Sequence, residues 1–215
     1  NFDYSLSGRY CWWRSLWSEA GLGYGTYYYN GKFTEYDSEY RYLSLGSGYD
    51  FAPDLSLSAG YTRRLSDNVG KNQPGISTIP PDNPDQTSDT EYGDADFSED
   101  DWSAQATYRP VRWTSLPVES SVSYRLRRRV YTTQRSLDQD PFHRGRLDRR
   151  GTFTVGLNVK AVPRLAVEPY FTYDERRTDS QAPAVPLVKN FVRREFGMTL
   201  TYTIKNNSTN TLNSV

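Results

Sequence analysis

The segment from Leu43 to Arg64 alternates apolar side chains with small or polar ones over two consecutive stretches. One row of the first stretch holds mostly Leu, Tyr and Phe, and the row between them holds Ser, Gly and Asp. The second stretch repeats the pattern after a Pro-Asp pair. A period of two residues is that of a β-strand whose two faces meet different surroundings. The segment therefore predicts two antiparallel strands that are joined by a short turn.

The same alternation continues along the chain and predicts an all-β fold with nine strands. The apolar rows span residues 2–12, 20–28, 43–51, 55–61, 102–108, 118–130, 153–159, 165–173 and 196–204. Short connections at 13–17, 52–54, 110–117 and 162–164 alternate with long polar ones at 30–38, 65–100, 131–149 and 177–189. This predicts an antiparallel up-and-down sheet over residues 1–204, with tight turns at one end, large loops at the other, and a polar tail at 205–215.

Composition limits what such a sheet can do. The mean hydropathy is −0.80, yet 15% of the residues are aromatic, so general disorder is a poor description of the chain. Its 26 basic and 26 acidic residues cancel, which argues against nucleic acid as a partner. The single Cys11 has no partner for an internal disulfide. The glycine-rich segment GLGYG lies in a predicted strand and not in a turn that opens a helix, as a nucleotide-binding loop would. We therefore predict no cofactor. No apolar run is long enough for a transmembrane helix.

An alternating meander forms either a soluble, lipocalin-like barrel with its apolar row inside or a membrane barrel with that row toward lipid. Three features favour the membrane barrel. Glycine recurs in the polar row, where it makes room for bulky neighbours inside a barrel. Aromatic residues, among them Trp12, Trp17 and Phe51, cluster where the apolar rows end, as at membrane interfaces. The arginines of the apolar row lie at the long-loop ends, within reach of lipid phosphates: Arg41, Arg63, Arg128 and Arg194.

The stretch SGYDFAPDLSLSAGYTRR at 47–64 resembles the strand–turn–strand units of porin-like outer-membrane β-barrel proteins of Gram-negative bacteria. The resemblance covers nearly the whole chain. It implies a transmembrane β-barrel in the bacterial outer membrane, in contact with membrane lipid and lipopolysaccharide. It also implies short periplasmic turns, long extracellular loops and a last strand that carries an assembly signal. The segment REFGMTLTYTI at 194–204 is similar to such a strand, and the chain continues with KNNSTNTLNSV.

The predicted strand number is odd, whereas single-chain bacterial barrels have an even number of strands. We therefore expect either a ten-strand barrel that includes one further strand or the C-terminal portion of a larger barrel. In both cases the edge at the first strand would pair with another barrel segment or an envelope protein. The alternative is a sheet of eight or nine strands that closes without help.

The polar row would line the interior of a barrel and would bring many charged side chains together. The predicted members of this network are Arg9, Arg64, Arg109, Glu119, Arg125, Arg127, Arg129, Lys160, Glu168, Arg193 and Glu195. In a narrow barrel these charges would pair and fill the lumen, because an unpaired buried charge is costly. In a wider barrel the column Arg125, Arg127 and Arg129 would form an anion-selective constriction.

Two of the long connections are strongly charged. The acidic connection offers a calcium site, because hard cations prefer carboxylate oxygens, although a solvated surface loop explains the same residues: Asp94, Asp96, Glu99, Asp100 and Asp101. The arginine-rich connection at 131–149, with the adjoining Arg150, either binds lipopolysaccharide phosphates or forms salt bridges with the acidic connection. Its candidate residues are Arg135, Arg144, Arg146, Arg149 and Arg150.

These patterns favour a non-enzymatic outer-membrane barrel that acts as a porin or as a scaffold component of an envelope or export complex. A membrane-embedded hydrolase or acyltransferase is the alternative from a different class, and His143 would be its general base. No Ser or carboxylate stands near His143 in a recognisable catalytic spacing, and a lone loop histidine is more typical of a surface residue. We therefore predict no catalytic residues.

Overall fold

The computed structural model describes residues 1–28, 37–52, 54–69, 95–110, 117–162 and 165–202. Nine antiparallel strands lie side by side in chain order in one sheet, which confirms the predicted all-β meander. They are β1 (Phe2–Cys11), β2 (Leu16–Tyr27), β3 (Ser38–Ala52), β4 (Leu55–Asn68), β5 (Phe97–Tyr108), β6 (Val118–Tyr131), β7 (Leu147–Val162), β8 (Leu165–Asp179) and β9 (Phe191–Tyr202). One short helix, α1 (Ala184–Lys189), precedes β9.

Several strands extend farther toward the long-loop end than the alternation predicts. β4 continues to Asn68 and β5 begins at Phe97, so the boundaries 65–100 of the predicted acidic loop are wrong. The boundaries 131–149 of the arginine-rich loop are also wrong, because β7 begins at Leu147. The apolar rows end before the hydrogen bonding does, since charged residues continue the pairing between strands. Residues 70–94 and the predicted tail at 205–215 lie outside the described residues.

The register is regular except near the short turns and around one proline. Register shifts occur between Asp50 and Ala52 and between Lys160 and Val162, both at the short-turn end. Between β7 and β8 the paired positions pass directly from Gly156–Tyr170 to Val159–Val167. Pro169 lies in this gap and has no N–H to donate to the neighbouring strand.

The predicted apolar row is the exposed face of the sheet. Leu6 is 76% exposed, Leu22 58% and Phe196 80%, and exposed apolar side chains occur on every described strand except β8, whose apolar row is half-buried. Among the described residues, the buried hydrophobic side chains are only Tyr40, Tyr131 and Val185. The described residues therefore contain no conventional hydrophobic core, and their large apolar face is open to the surroundings.

On the opposite, polar face, aromatic rings cover glycines of the neighbouring strand. Tyr42 lies directly opposite Gly23 and Tyr40 opposite Gly25, and a Cβ atom at either glycine would collide with the ring. The same arrangement pairs Trp17 with Gly48 and Tyr170 with Gly197. Glycine in the polar row thus does make room for bulky neighbours, as the sequence predicts.

The sheet has two edges in the described part of the chain. β1 pairs with β2, and β9 pairs with β8. Both edge strands are exposed along nearly their whole length. No helix within the described ranges is long and apolar enough to cross a membrane.

Candidate functional site

The polar face carries a cluster of charged side chains in the long-loop half of β5 to β9, which we call the charge belt. Its members are Glu99, Asp101, Arg125, Arg127, Arg129, Asp148, Arg150, Asp174, Arg176, Arg193 and Glu195. All of them occupy alternate positions on their strands, so strand pairing places them on one face. The belt includes five of the predicted lumen residues. It also includes Glu99, Asp101 and Arg150, which were predicted to lie in or next to the charged connections.

The first lateral row of the belt alternates in charge. Register places Arg64 opposite Glu99, Glu99 opposite Arg129, and Arg129 opposite Asp148. Nε of Arg129 donates to Glu99 at 2.8 Å, and the Arg129 guanidinium lies 3.9 Å from the centre of the Phe97 ring. Opposite charges at facing positions stabilise neighbouring strands. In this row the side chains join β5 to β6, and Arg64 of β4, which is not a member of the belt, faces Glu99.

Two bidentate pairs lie one step farther from the long loops. Arg125 donates from Nε and Nη2 to the carboxylate of Asp101, and Arg150 donates to Asp174 at 2.8 and 2.6 Å. Thr152 adds a hydroxyl hydrogen bond to Asp174 at 3.2 Å. Bidentate arginine–carboxylate pairs have a defined geometry and are among the stronger ion pairs. The carboxylates of Asp101 and Asp174 are buried, while their arginine partners are partly exposed.

A second lateral row contains arginines side by side. Register places Arg127 opposite Arg150 and Arg150 opposite Arg176. Arg176 donates to Asp148 at 2.6 Å, whereas Nε of Arg127 is 3.4 Å from Asp101 and 3.7 Å from Glu99. The members of the predicted column therefore differ in their contacts. Arg125 and Arg129 each have a close carboxylate partner, and Arg127 does not.

The connection between β6 and β7 folds into a compact cap, residues 132–146, over this end of the polar face. Arg146 is buried and donates to both oxygens of Asp148 at 3.0 and 2.9 Å, and it lies over the ring of Tyr131. At the cap's surface, the Ser136 hydroxyl donates to Asp138 and holds the pKa of that carboxyl below its ordinary value. Val185 of α1 is also buried.

His143 belongs to this cap and is not a surface residue. Its imidazole is 1% exposed and stacks on Tyr131, and Nδ1 lies 2.8 Å from a carboxylate oxygen of Asp140, which is fully buried. The expectation of a surface histidine without a nearby carboxylate was wrong. The reason is that a tight turn brings Asp140 next to His143, and that both side chains are buried inside the cap.

The remaining predicted lumen residues lie outside the belt, on the same polar face. Arg9 donates to Glu19 at 2.7 Å, Arg109 to Glu119 at 2.6 Å, and Asn158 to Glu168 at 2.7 Å. Lys160 lies in the same row of β7. Trp17 lies here as well, 4.4 Å beneath the Arg9 guanidinium, so its assignment to the aromatic cluster at the ends of the apolar rows was wrong. The glycine opposite it, Gly48, leaves the space that the indole fills.

The predicted interface arginines lie on the outer, apolar face at the long-loop end. Arg63 donates to Asp100 at 2.6 Å, and Arg128 is 3.7 Å from the other oxygen of the same carboxylate. The Tyr61 hydroxyl also donates to Asp100. Arg41 of β3 lies opposite Leu65 at the same end of this face. Arg194 of β9 lies opposite Tyr173. The outer face thus ends in a band of charged and aromatic side chains.

The five arginines assigned to the arginine-rich loop do not form one surface. Arg144 donates to the Thr133 carbonyl within the cap, Arg146 is buried, and Arg150 lies in the charge belt. Arg149 lies on the outer face and donates to Asp179. The backbone of Arg135 is held by the Thr133 hydroxyl. The described carboxylate partners of these arginines belong to β7 and β8.

The predicted calcium ligands are also dispersed. Asp100 lies on the outer face, Glu99 and Asp101 lie on the polar face with arginine partners, and Asp94 is outside the described residues. Asp96 precedes β5 and accepts from the Asn68 backbone. Within the described ranges, no group of His, Cys, Asp or Glu has the arrangement of a metal site. Alternation along a strand explains this, because it sends consecutive carboxylates to opposite faces.

Comparison with known proteins adds no family to this description. No protein-family model, no curated protein and no solved structure matches the chain. In the described residues, the fold is an antiparallel up-and-down sheet of nine strands, which is compatible with a β-barrel.

Proposed function

We propose that this chain forms the wall of a bacterial outer-membrane β-barrel and acts without catalysis, as a porin-like or scaffold component of an envelope or export complex. The exposed apolar row is the observation that carries the proposal. A soluble monomer rarely exposes a contiguous apolar patch of more than a few hundred Å². In a bilayer the same side chains contact lipid, and the backbone polar groups are satisfied between strands.

Strand lengths and strand ends support lipid as the solvent of this face. Crossing the hydrocarbon takes about 9–11 tilted residues, and the strands here contain 10 to 16. Charged groups of the outer face, such as Arg63, Asp100 and Arg128, lie near the long-loop end. Near an interface an arginine costs roughly 0–1 kcal/mol, compared with about 2–4 kcal/mol at the midplane. A lipocalin-like barrel would instead pack its apolar row inside.

The charge belt favours a filled interior over a wide aqueous pore. Its carboxylates are buried by arginines of neighbouring strands, and glycine–aromatic pairs occupy the face between β2 and β3. A lumen filled in this way suits a scaffold or a narrow, anion-preferring path. The cap lies at the long-loop end of the same polar face.

Extraction and bilayer recording test the proposal together. We expect the protein to remain in the membrane fraction after high-salt and carbonate washes and to leave it only with detergent. In a planar bilayer, we expect a conductance well below that of an open porin. A protein that stays monomeric in water without any amphiphile would contradict membrane insertion, and a large stable conductance would contradict the filled interior.

A further inference from the structure

Arg127, Arg150 and Arg176 lie directly opposite one another on three neighbouring strands of the polar face. We call them the arginine row. Side chains at facing positions have Cβ atoms about 4.5–5.5 Å apart, and like charges there destabilise the sheet. Asp101 on β5 and Phe191 on β9 mark the two ends of the row. The row therefore places three positive charges at facing positions of neighbouring strands.

Arg150 and Arg176 have close carboxylate partners, but the nearby carboxylates are shared among more arginines than they can neutralise. Four carboxylates contact seven arginines, and the carboxylates are Glu99, Asp101, Asp148 and Asp174. Asp101 is engaged by Arg125 through both oxygens, and Asp148 is shared between Arg146 and Arg176. Arg127 lies between two carboxylates without a hydrogen bond from Nε to either one. In the described part of the chain, the Nε atoms of Arg127 and Arg176 are buried and have no hydrogen-bond partner. Buried N–H groups of this kind are normally satisfied.

We propose that the arginine row binds a small inorganic oxyanion of the phosphate or sulfate type. Guanidinium groups present planar N–H donors that match the oxygens of such an anion, and a single anion can bridge adjacent arginines. The two Nε atoms are buried, but the side chains of Arg127 and Arg176 as a whole remain 28% and 23% exposed, so part of each side chain is open to solvent. Arg150, held by Asp174, forms the middle of the site.

This site differs from the constriction that the sequence suggests along β6. The site shares only Arg127 with that column, and its three arginines face one another across β6, β7 and β8 and do not follow one strand. The inference does not depend on insertion into a membrane, because detergent micelles leave the polar face unchanged. Anion binding and membrane extraction can therefore fail separately.

Calorimetric titration of the purified, detergent-solubilised protein with inorganic phosphate at low ionic strength tests the site. We expect saturable binding to the wild-type protein and an affinity reduced at least about tenfold in both Arg127→Gln and Arg176→Gln, because each removes a charge-assisted hydrogen bond. Arg128→Gln is the matched control, since Arg128 is the next residue of the same strand and lies on the opposite face. Its affinity should stay within about twofold of wild type.

Two results would overturn the inference. One is the absence of saturable phosphate binding to the wild-type protein. The other is an equal loss of affinity in Arg127→Gln and Arg128→Gln, which would indicate general electrostatic attraction. If a variant does not fold, as judged by circular dichroism, competition on the wild-type protein decides. Sulfate should displace phosphate at concentrations where chloride does not, and equal displacement by both anions would also overturn it.

Discussion

At the scale of single residues, the polar face is organised by the contrast between glycine and its neighbours. Gly23, Gly25, Gly48 and Gly197 each lie beneath an aromatic ring of the facing strand. Gly46, on the same face of β3, differs, because a Cβ atom there would meet no atom closer than 3.8 Å. The value of a glycine in this sheet therefore depends on what faces it.

This contrast predicts opposite outcomes for one substitution at two sites. Gly23→Ala places a methyl group against the Tyr42 ring and should lower the free energy of unfolding by about 1–3 kcal/mol. Gly46→Ala should be neutral or should raise it by up to about 1 kcal/mol, because the methyl group fits and alanine reduces the entropy of the unfolded chain. Urea unfolding in lipid vesicles, followed by tryptophan fluorescence, measures both. Equal effects at the two sites would refute the steric explanation.

A second residue-scale prediction concerns the buried pair His143 and Asp140. His143→Ala removes the imidazole next to a fully buried carboxylate and should destabilise the cap by about 1–3 kcal/mol. The strands should stay folded, since the cap is a connection between β6 and β7. Limited proteolysis should then cut within residues 132–146 sooner than in the wild-type protein. Leu137→Ala, which truncates an exposed cap residue, is the control and should leave the cleavage rate unchanged.

At the scale of strands, the fold was predictable from the sequence because alternation is a local property. The faces of Leu45 and Gly46, for example, follow from the period of two. The pairing of Glu99 and Asp101 with arginines of β6 was not predictable in the same way. These carboxylates follow an acidic stretch, and only the register between β5 and β6 places them opposite Arg129 and Arg127. A polar segment of strand has the same local signal as a charged loop.

The proposed insertion into a bilayer leads to a prediction at this scale. Leu45 and Leu65 lie on the same apolar face, the first in the middle of β3 and the second near the long-loop end of β4, opposite Arg41. Leu45→Arg should cost about 2–4 kcal/mol of unfolding free energy in vesicles, and Leu65→Arg roughly 0–1 kcal/mol. Urea titration in vesicles compares them. A similar cost at both positions would be inconsistent with a bilayer around the sheet.

At the scale of the whole molecule, the described sheet exposes apolar side chains on one face, and most of its buried side chains lie on the polar face. The outward face is apolar and the polar face is held by ion pairs, aromatic rings and the cap. Stability of the polar face therefore rests on networks whose members depend on their neighbours. Removing one carboxylate, such as Asp148, would affect Arg146 and Arg176 together.

Strand direction determines how such a sheet can close. Within the described ranges, all neighbouring strands are antiparallel and their number is nine, so β1 and β9 run in the same direction. Direct pairing of the two edges would be parallel. One further strand, running from the short-turn end to the long-loop end, would be antiparallel to both edges and would restore an even number. The exposed backbone of β1 would then be covered, as open sheet edges require in a membrane.

Cysteine cross-linking distinguishes these two modes of closure. In a Cys11→Ser background, cysteines that replace Ser5 or Ser7 of β1 and Thr199 or Thr201 of β9 all lie on the polar face. If a further strand separates the edges, no combination should form a disulfide on oxidation, because bridged Cα atoms lie within about 7 Å and two strand spacings exceed this. Thr154→Cys with Thr172→Cys is the positive control, since the two hydroxyls are 3.3 Å apart. A rapid disulfide between β1 and β9 would instead establish direct parallel closure.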